Sequence, residues 1–139
     1  MFRAVYPADF NQLDAIRDFV GEAASQAGFS SQDIYSVQLA ADEACSNVIE
    51  HAYRDTQDGE IEITCSVQPG EVKIIIHDHG AQFDMGKVKS PNLSDRLEDR
   101  EIGGLGVYFI HKLMDEVEFI SSRTDGNTLT MVKRTSGGT

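Results

Sequence analysis

The sequence predicts an α+β protein: a two-layer α/β sandwich whose mixed sheet has helices on one face. Three observations lead to this fold class. Two segments with apolar residues at three- and four-residue spacing, typical of amphipathic helices, follow a short first strand. Two pairs of strand-like segments are each joined by a short turn, as in hairpins. The order of strand, two helices, hairpin, helix and hairpin is that of an α+β domain.

Length and charge limit the kinds of protein this can be. The 139 residues, 40% hydrophobic and 25% charged, predict one globular domain over residues 1–139. The net charge of -11 argues against nucleic acid binding, because phosphates must be neutralised by Lys and Arg, and it permits a basic protein partner. No apolar run reaches the ~20 residues of a membrane span. No signal peptide is recognisable either, so we expect a cytoplasmic protein without membrane contact.

The first half of the chain should form one strand and two helices. Residues 2–6 alternate weakly and stop at a proline, as an edge strand does. Residues 10–27 form an amphipathic helix that ends at a glycine. Ser30 or Ser31 then caps a longer helix that runs to about residue 53. Its apolar face consists of Ile34, Val37, Ala41, Ala44, Val48 and Ala52.

The second half should contain two hairpins around one helix. Residues 60–67 and 71–77 form the first hairpin, and the run of three isoleucines predicts that its second strand is central and covered on both faces. A helix over 107–114 and strands over 117–121 and 128–132 complete the domain. The two cysteines, at positions 45 and 65, have no metal-binding spacing, and we expect buried thiols.

Residues 84–102 differ from the rest of the chain, because they are polar over nearly 20 positions. Such a long connection inside a compact domain is typical of a functional lid or a mobile loop. A surface loop with one helical turn at 93–97 is the alternative.

Four groups of residues have a chemical interpretation. Glu43 and Asn47 lie four residues apart and so share one stripe of the long helix. The amide oxygen suits Mg²⁺, and the carboxylate could take a proton from a hydroxyl or water. Alone, the pair is more typical of an ordinary polar stripe on an amphipathic helix.

The second group is at the end of the central strand. Asp78 could accept a hydrogen bond from an exocyclic amine, and Gly80 would leave room for a flat ring. An ordinary turn is the alternative. His77 and His79 are not expected to bind metal, on the argument that neighbours on a strand point to opposite faces.

The third and fourth groups are weaker. The glycine-rich run 103–106 precedes a helix, and such a helix start can bind anions through its backbone N–H groups. The run matches neither a P-loop nor GxGxxG. Thr128 opens the last strand, and its hydroxyl could share a water with Asp78.

Together these groups, in this order, closely resemble the Bergerat or GHKL ATP-binding fold, the superfamily of gyrase B, Hsp90, histidine kinases and MutL. Asp-Glu-Ala-Cys-Ser-Asn-Val-Ile-Glu-His-Ala-Tyr is similar to the N box of one branch, the RsbW-like anti-sigma-factor serine kinases. Gly-Gly-Leu-Gly-Val-Tyr-Phe-Ile is similar to its second glycine region. The resemblance covers nearly the whole chain.

The resemblance implies ATP and Mg²⁺ as cofactors and a role for each residue. Asn47 would bind Mg²⁺, and Glu43 would be the catalytic base. The family's nucleotide contacts fall on Asp78, Gly80, Gly104, Leu105, Gly106 and Thr128, with the lid over 84–102.

Two departures from the family pattern matter. Gln82 stands where the second glycine of the first glycine box belongs, which could alter the lid hinge or weaken nucleotide binding. No basic residue directly precedes Gly104, and Arg96 or Arg100 on the lid could serve instead.

The resemblance therefore predicts a serine/threonine kinase that acts as an anti-sigma-factor-type switch. Its substrate would be a serine on a STAS-type antagonist, the anti-anti-sigma protein, and a sigma factor and a homodimer are further implied partners. The alternatives are a non-catalytic nucleotide-dependent binding module, which Gln82 motivates, and a stand-alone ATPase module of a signalling complex.

Overall fold

The computed structural model describes residues 1–53, 59–81 and 104–135, and for residues 104–108 it describes the backbone alone. The elements, in chain order, are β1 (Phe2–Pro7), a 3-10 turn (Phe10–Gln12), α1 (Leu13–Gln26), α2 (Ser31–Asn47), a π-helical turn (Val48–Ala52), β2 (Glu60–Gln68), β3 (Glu71–Asp78), α3 (Gly104–Leu113), β4 (Glu116–Ser122) and β5 (Gly126–Arg134). The predicted α+β class and the predicted order of elements are confirmed.

The five described strands form one sheet in the order β1-β2-β3-β5-β4, and all four pairings are antiparallel. The prediction of a mixed sheet is therefore wrong for these strands. The reason is the pair of helices between β1 and β2. Two successive helices return the chain to the end of the sheet where β1 finished, so β2 runs back along it.

The core lies between one face of the sheet and the helices. Side chains alternate along the strands, so every second residue is buried in β3 and over 61–65 of β2, while its neighbours are not. Helices α1 and α2 pack against each other, and α2 also packs against α3. The most completely buried large side chains are Ile16, Val20, Val37, Ile61, Ile63, Val72, Ile74, Ile76, Ile110 and Met131.

The other face of the sheet, which we call the open face, is not covered by a described helix. The central place of β3 is confirmed by its pairing with both β2 and β5. Its predicted coverage on both faces is wrong, because Ile75, between the buried Ile74 and Ile76, is only partly buried. Val5 and Ile120, 48% and 56% exposed, lie on the same open face.

The two cysteines are buried and free, as predicted. Burial raises the pKa of the Cys65 thiol to about 12 and that of the Cys45 thiol further. Both thiols therefore pack as small apolar groups. Among the described helices, none is long and apolar enough to span a membrane.

Candidate functional site

The end of α2 lies against the end of β3, and a change of helix type occurs there. The helix continues past Asn47 as the π-helical turn Val48–Ala52, a feature often found at functional sites. The Ala52 carbonyl accepts a 2.8 Å hydrogen bond from the Ala81 N–H. A Cβ on Gly80 would lie 2.5 Å from that carbonyl oxygen. Gly80 is therefore needed for this close backbone approach, a reason that sequence analysis did not find.

Tyr53, which follows the π turn, joins the two strand ends. Its hydroxyl donates to the Glu60 carbonyl at 2.8 Å and accepts from the His79 N–H at 2.9 Å. Its ring leaves no room for a side chain at Gly59, where a Cβ would lie 2.5 Å from the ring. Sequence analysis missed this residue, because its two partners are brought together only by the fold.

Asp78 is the central side chain of the site and is only 1% exposed. Its Oδ1 accepts hydrogen bonds from the Gly80 N–H at 2.8 Å and from Asn127 Nδ2 at 2.9 Å. Its Oδ2 is buried and has no partner in the described part of the chain. Burial raises the pKa of this carboxyl, and the two hydrogen bonds oppose that rise. Because an unpaired buried acceptor costs about 1–3 kcal/mol, the arrangement favours a ligand that donates to Oδ2.

Asn127 lies beside Asp78, and sequence analysis gave it no role. It is 1% exposed, donates its second amide hydrogen to the Ala81 carbonyl at 3.0 Å, and accepts at Oδ1 from the Ser121 hydroxyl at 2.5 Å. Gly126 precedes it with φ +81°, and a Cβ there would lie 1.9 Å from the Asp78 carbonyl oxygen. Strand alternation counted from the apolar Leu129 would have placed Asn127 on the helix side.

The predicted role of Thr128 is wrong. Thr128 lies on the open face, where its hydroxyl and the His77 Nδ1 are hydrogen-bonded at 2.9 Å. Adjacent residues of a strand point to opposite faces, so Thr128 cannot share the helix side with Asp78 and Asn127.

The two histidines do not point to opposite faces, contrary to the expectation from the sequence. His77 and His79 are two residues apart, so they share a face, and their ring centroids lie 4.7 Å apart. Among the described residues, no group of three or more His, Cys, Asp and Glu is arranged to hold a metal ion.

The pair on α2 lies at the edge of the core. Glu43 is half-buried, and its pKa is raised by burial and by the negative charges of Asp42 and Glu50. Asn47, one helical turn later, is 4% exposed, and its Nδ2 has no hydrogen-bond partner in the described region. A carboxylate with a raised pKa suits a proton acceptor, and an unpartnered amide suits a polar ligand.

The residues present fit a magnesium ion whose other ligands are water and phosphate oxygens. Mg²⁺ usually keeps several waters and takes only one or two protein oxygens besides phosphate oxygens. Asn47 offers one such oxygen, and no described partner holds its amide nitrogen in place. Its predicted role as a metal ligand stays a prediction.

The predicted phosphate-binding segment is described in part. Helix α3 begins at Gly104, so the N–H groups of Gly104, Leu105 and Gly106 belong to its first turn and have no partner within the helix. Such N–H groups can bind an anion. Gly103, Gln82 and the predicted lid 84–102, with Arg96 and Arg100, lie outside the described residues.

Sequence comparison links the chain to one family. The model of the histidine kinase-like ATPase domain matches residues 6–133. The serine-protein kinase RsbW of Bacillus velezensis is 32% identical over 138 residues, which are 94% of this chain and 83% of that protein. The RsbW of Bacillus cereus strain AH187 is 31% identical over 131 residues, 91% of this chain and 80% of its own.

Structural comparison agrees on the fold. The RsbU and RsbW domains of Rv1364c from Mycobacterium tuberculosis match with a TM-score of 0.66 at 18% identity over 96% of this chain. This chain spans 31% of that longer one. The blue-light activated histidine kinase of Erythrobacter litoralis EL346 matches with a TM-score of 0.55 at 18% identity, over 76% of this chain and 31% of its own. At these identities the likeness concerns the fold alone.

Proposed function

The chain belongs to the histidine kinase-like ATPase family, in the group of the serine-protein kinase RsbW, and from this premise we propose that it transfers the γ-phosphoryl group of ATP to a serine of a partner protein. The observation that supports this most directly is Oδ2 of Asp78, a buried acceptor without a partner among the described residues. The exocyclic amine of adenine is a donor of the required kind.

Adenine recognition rests on the shape of the strand end. Gly80 and Gly126 let the backbone of β3 approach the end of α2 and the start of β5, and this holds Asp78 in place. Oδ1 is already occupied by two donors, so Oδ2 is the atom left to accept the amine. Ionised Asp78 would therefore select a base that donates at this position.

Phosphate binding would use the two neighbouring helices. The N–H groups of Gly104, Leu105 and Gly106 would donate to phosphate oxygens, because the first turn of α3 gives them no partner within the helix. Asn47 would hold Mg²⁺ through its amide oxygen. When bound, Mg²⁺ neutralises phosphate charge that develops during transfer. Arg100 remains a predicted further phosphate contact.

Glu43 would act as the base. The serine oxygen forms a bond to the γ-phosphorus while the bond from that phosphorus to the β–γ bridging oxygen breaks and ADP leaves. The proton of the serine hydroxyl passes to the Glu43 carboxylate. Partial burial and the nearby Asp42 and Glu50 raise the pKa of Glu43, which makes it a better proton acceptor once ionised.

The protein partners are proposed from the resemblance. The substrate would be a serine on a STAS-type anti-anti-sigma protein, and a sigma factor is a second proposed partner, with nucleotide state selecting between them. The net charge of -11 is compatible with basic partner surfaces. We further propose that the protein is a cytoplasmic homodimer. Sedimentation analysis would measure the mass of the dimer.

The test is phosphoryl transfer from γ-labelled ATP to purified STAS-domain proteins, with and without Mg²⁺. Label on a partner serine supports the kinase. The matched control is a partner in which that serine is replaced by alanine. Tight ATP binding without label on any STAS protein would instead favour the non-catalytic binding module. Hydrolysis of ATP without a protein substrate would favour the stand-alone ATPase.

A further inference from the structure

Asp78 presents one carboxylate oxygen to the site. The neighbouring Asn127 decides which oxygen that is and whether it is ionised or protonated. We infer that Asn127 is a positioning residue that sets base specificity: it holds Asp78 so that Oδ2 accepts, which favours a purine with an amino group over one with a carbonyl at the same ring position. This inference rests on the proposed nucleotide site. It adds the residue that would make that site selective.

The orientation of the Asn127 amide is determined by its partners. The Ser121 hydroxyl lies 2.5 Å from Oδ1, and the Ala81 carbonyl, which can only accept, lies 3.0 Å from Nδ2. A rotated amide would place its oxygen against that carbonyl and against the Asp78 carboxylate. Asn127 is therefore always a donor toward Asp78, with Nδ2 2.9 Å from Oδ1.

The same geometry determines where a proton on Asp78 can reside. Oδ1 already accepts from the Gly80 N–H and from Asn127, so any proton must be on Oδ2. Ionised, Oδ2 accepts from an amine. Protonated, it donates to a carbonyl or ring nitrogen. The charge state of Asp78 therefore determines which kind of base it can bind.

Asn127 is the side-chain donor that favours the ionised form. Burial raises the pKa of Asp78, and the hydrogen bond from Asn127 is the largest influence that lowers it. The other titratable groups that act on Asp78 are Cys45 from α2, Tyr53 after the π turn, His77 from β3 and His79 just after that strand. Cys45 and Tyr53 both have raised pKa values and are neutral at pH 7, so neither balances a negative charge.

The experiment is calorimetric titration of the whole chain with ATP and with ITP, which has a carbonyl where ATP has its amine, from pH 5.5 to 8.5. The wild type should prefer ATP, and its ATP affinity should fall as the pH drops through the pKa of Asp78. Asn127→Ala should lower ATP affinity about 10-fold and bring the ATP-to-ITP ratio toward one. Its loss of ATP affinity on acidification should begin at a higher pH than in the wild type.

Asn127→Asp keeps the side-chain volume and gives the opposite pH response. Two carboxylates at this distance cannot both ionise easily, so a shared proton should restore the donor toward Asp78. The ATP affinity of this variant should therefore rise on acidification from pH 8.5. Ser121→Ala should have a smaller effect, because the Ala81 carbonyl and the Asp78 carboxylate still hold the Asn127 amide in its orientation. Thr130→Val, on the open face of the same strand, should preserve the wild-type ratio.

Failure of the inference about Asn127 can be distinguished from failure of the proposed nucleotide site. If Asn127→Ala weakens ATP and ITP equally and keeps the wild-type pH profile, Asn127 is only structural and the inference is overturned while the nucleotide site stands. If the wild type binds neither nucleotide, the proposed function and the inference fall together.

Discussion

Two adjacent pairs of residues join β3 to β5. They differ in which hydrogen-bonding groups they leave without a partner among the described residues. The helix-side pair, Asp78 and Asn127, is almost completely buried and leaves Oδ2 of Asp78 without a described partner. The open-face pair, His77 and Thr128, is partly exposed, and its two side chains bond to each other. Both pairs contain residue types that occur in active sites.

The difference teaches that unmet hydrogen-bonding capacity in a buried place, and not residue type, marks the site. On the open face, water can satisfy what the side chains do not. On the helix side the two side chains are almost completely buried, and an acceptor left unpaired there costs free energy that the rest of the fold must offset. The comparison predicts that chemistry and binding are lost by changes on the helix side and tolerate changes on the open face.

The largest effect should come from Glu43→Gln. It removes the proposed proton acceptor, so phosphoryl transfer should fall roughly 10²–10⁴-fold while ATP affinity is retained. The open-face control is Glu62→Gln, which loses the exposed pair with Arg3 and the attraction to the nearby His77 and His79. Transfer rates at saturating ATP measure the difference. An equal loss in both variants would contradict a catalytic role for Glu43.

The next effect concerns binding. Asp78→Asn keeps an acceptor toward Asn127 but presents a second NH₂ group to the adenine amine, so ATP affinity should fall roughly 10–100-fold. His77→Gln, the adjacent open-face change, should alter affinity less than about twofold, since its side chain points away. Calorimetric titration of both variants with ATP measures whether affinity depends on the face of the sheet on which the substitution lies.

The third effect is on stability and depends on pH. Because the pKa of Asp78 is raised in the folded state, its favourable contribution is complete below the unfolded pKa and is lost as the pH rises through the folded value. The free energy of unfolding of the wild type, minus that of Asp78→Asn, should therefore fall from pH 3.5 toward pH 7. Urea unfolding at several pH values measures it. A difference that rises with pH would mean that the buried carboxylate is favourably paired.

The smallest effect should come from Thr128→Val. It removes one hydrogen bond to His77 on the open face and should cost about 1 kcal/mol of unfolding free energy or less. ATP affinity should be unchanged within about twofold. A large loss of affinity would restore the role that the family resemblance predicted for this threonine.

Sequence reasoning placed residues correctly where one element contains the whole pattern, although their roles stay predictions. Glu43 and Asn47 lie on one helix at a spacing that places them on one stripe, and Asp78 follows a visible apolar strand. It failed where two distant segments meet. Asn127 contacts Asp78 across 49 residues, and its identity as a partner depends on strand register. The prediction for Thr128 was one residue off, which on a strand means the opposite face.

The sequence by itself determined the order and type of the elements, the family, and the residues whose chemistry is local to one helix or strand end. These follow from periodicity and turn chemistry, which act over a few residues. Only the tertiary structure decided that every described strand pair is antiparallel, that Gly80 and Gly126 permit backbone contacts, and that Asn127 donates a hydrogen bond to Asp78. Those features depend on register and on which groups are left unpaired in the interior, and both exist only once distant segments have packed together.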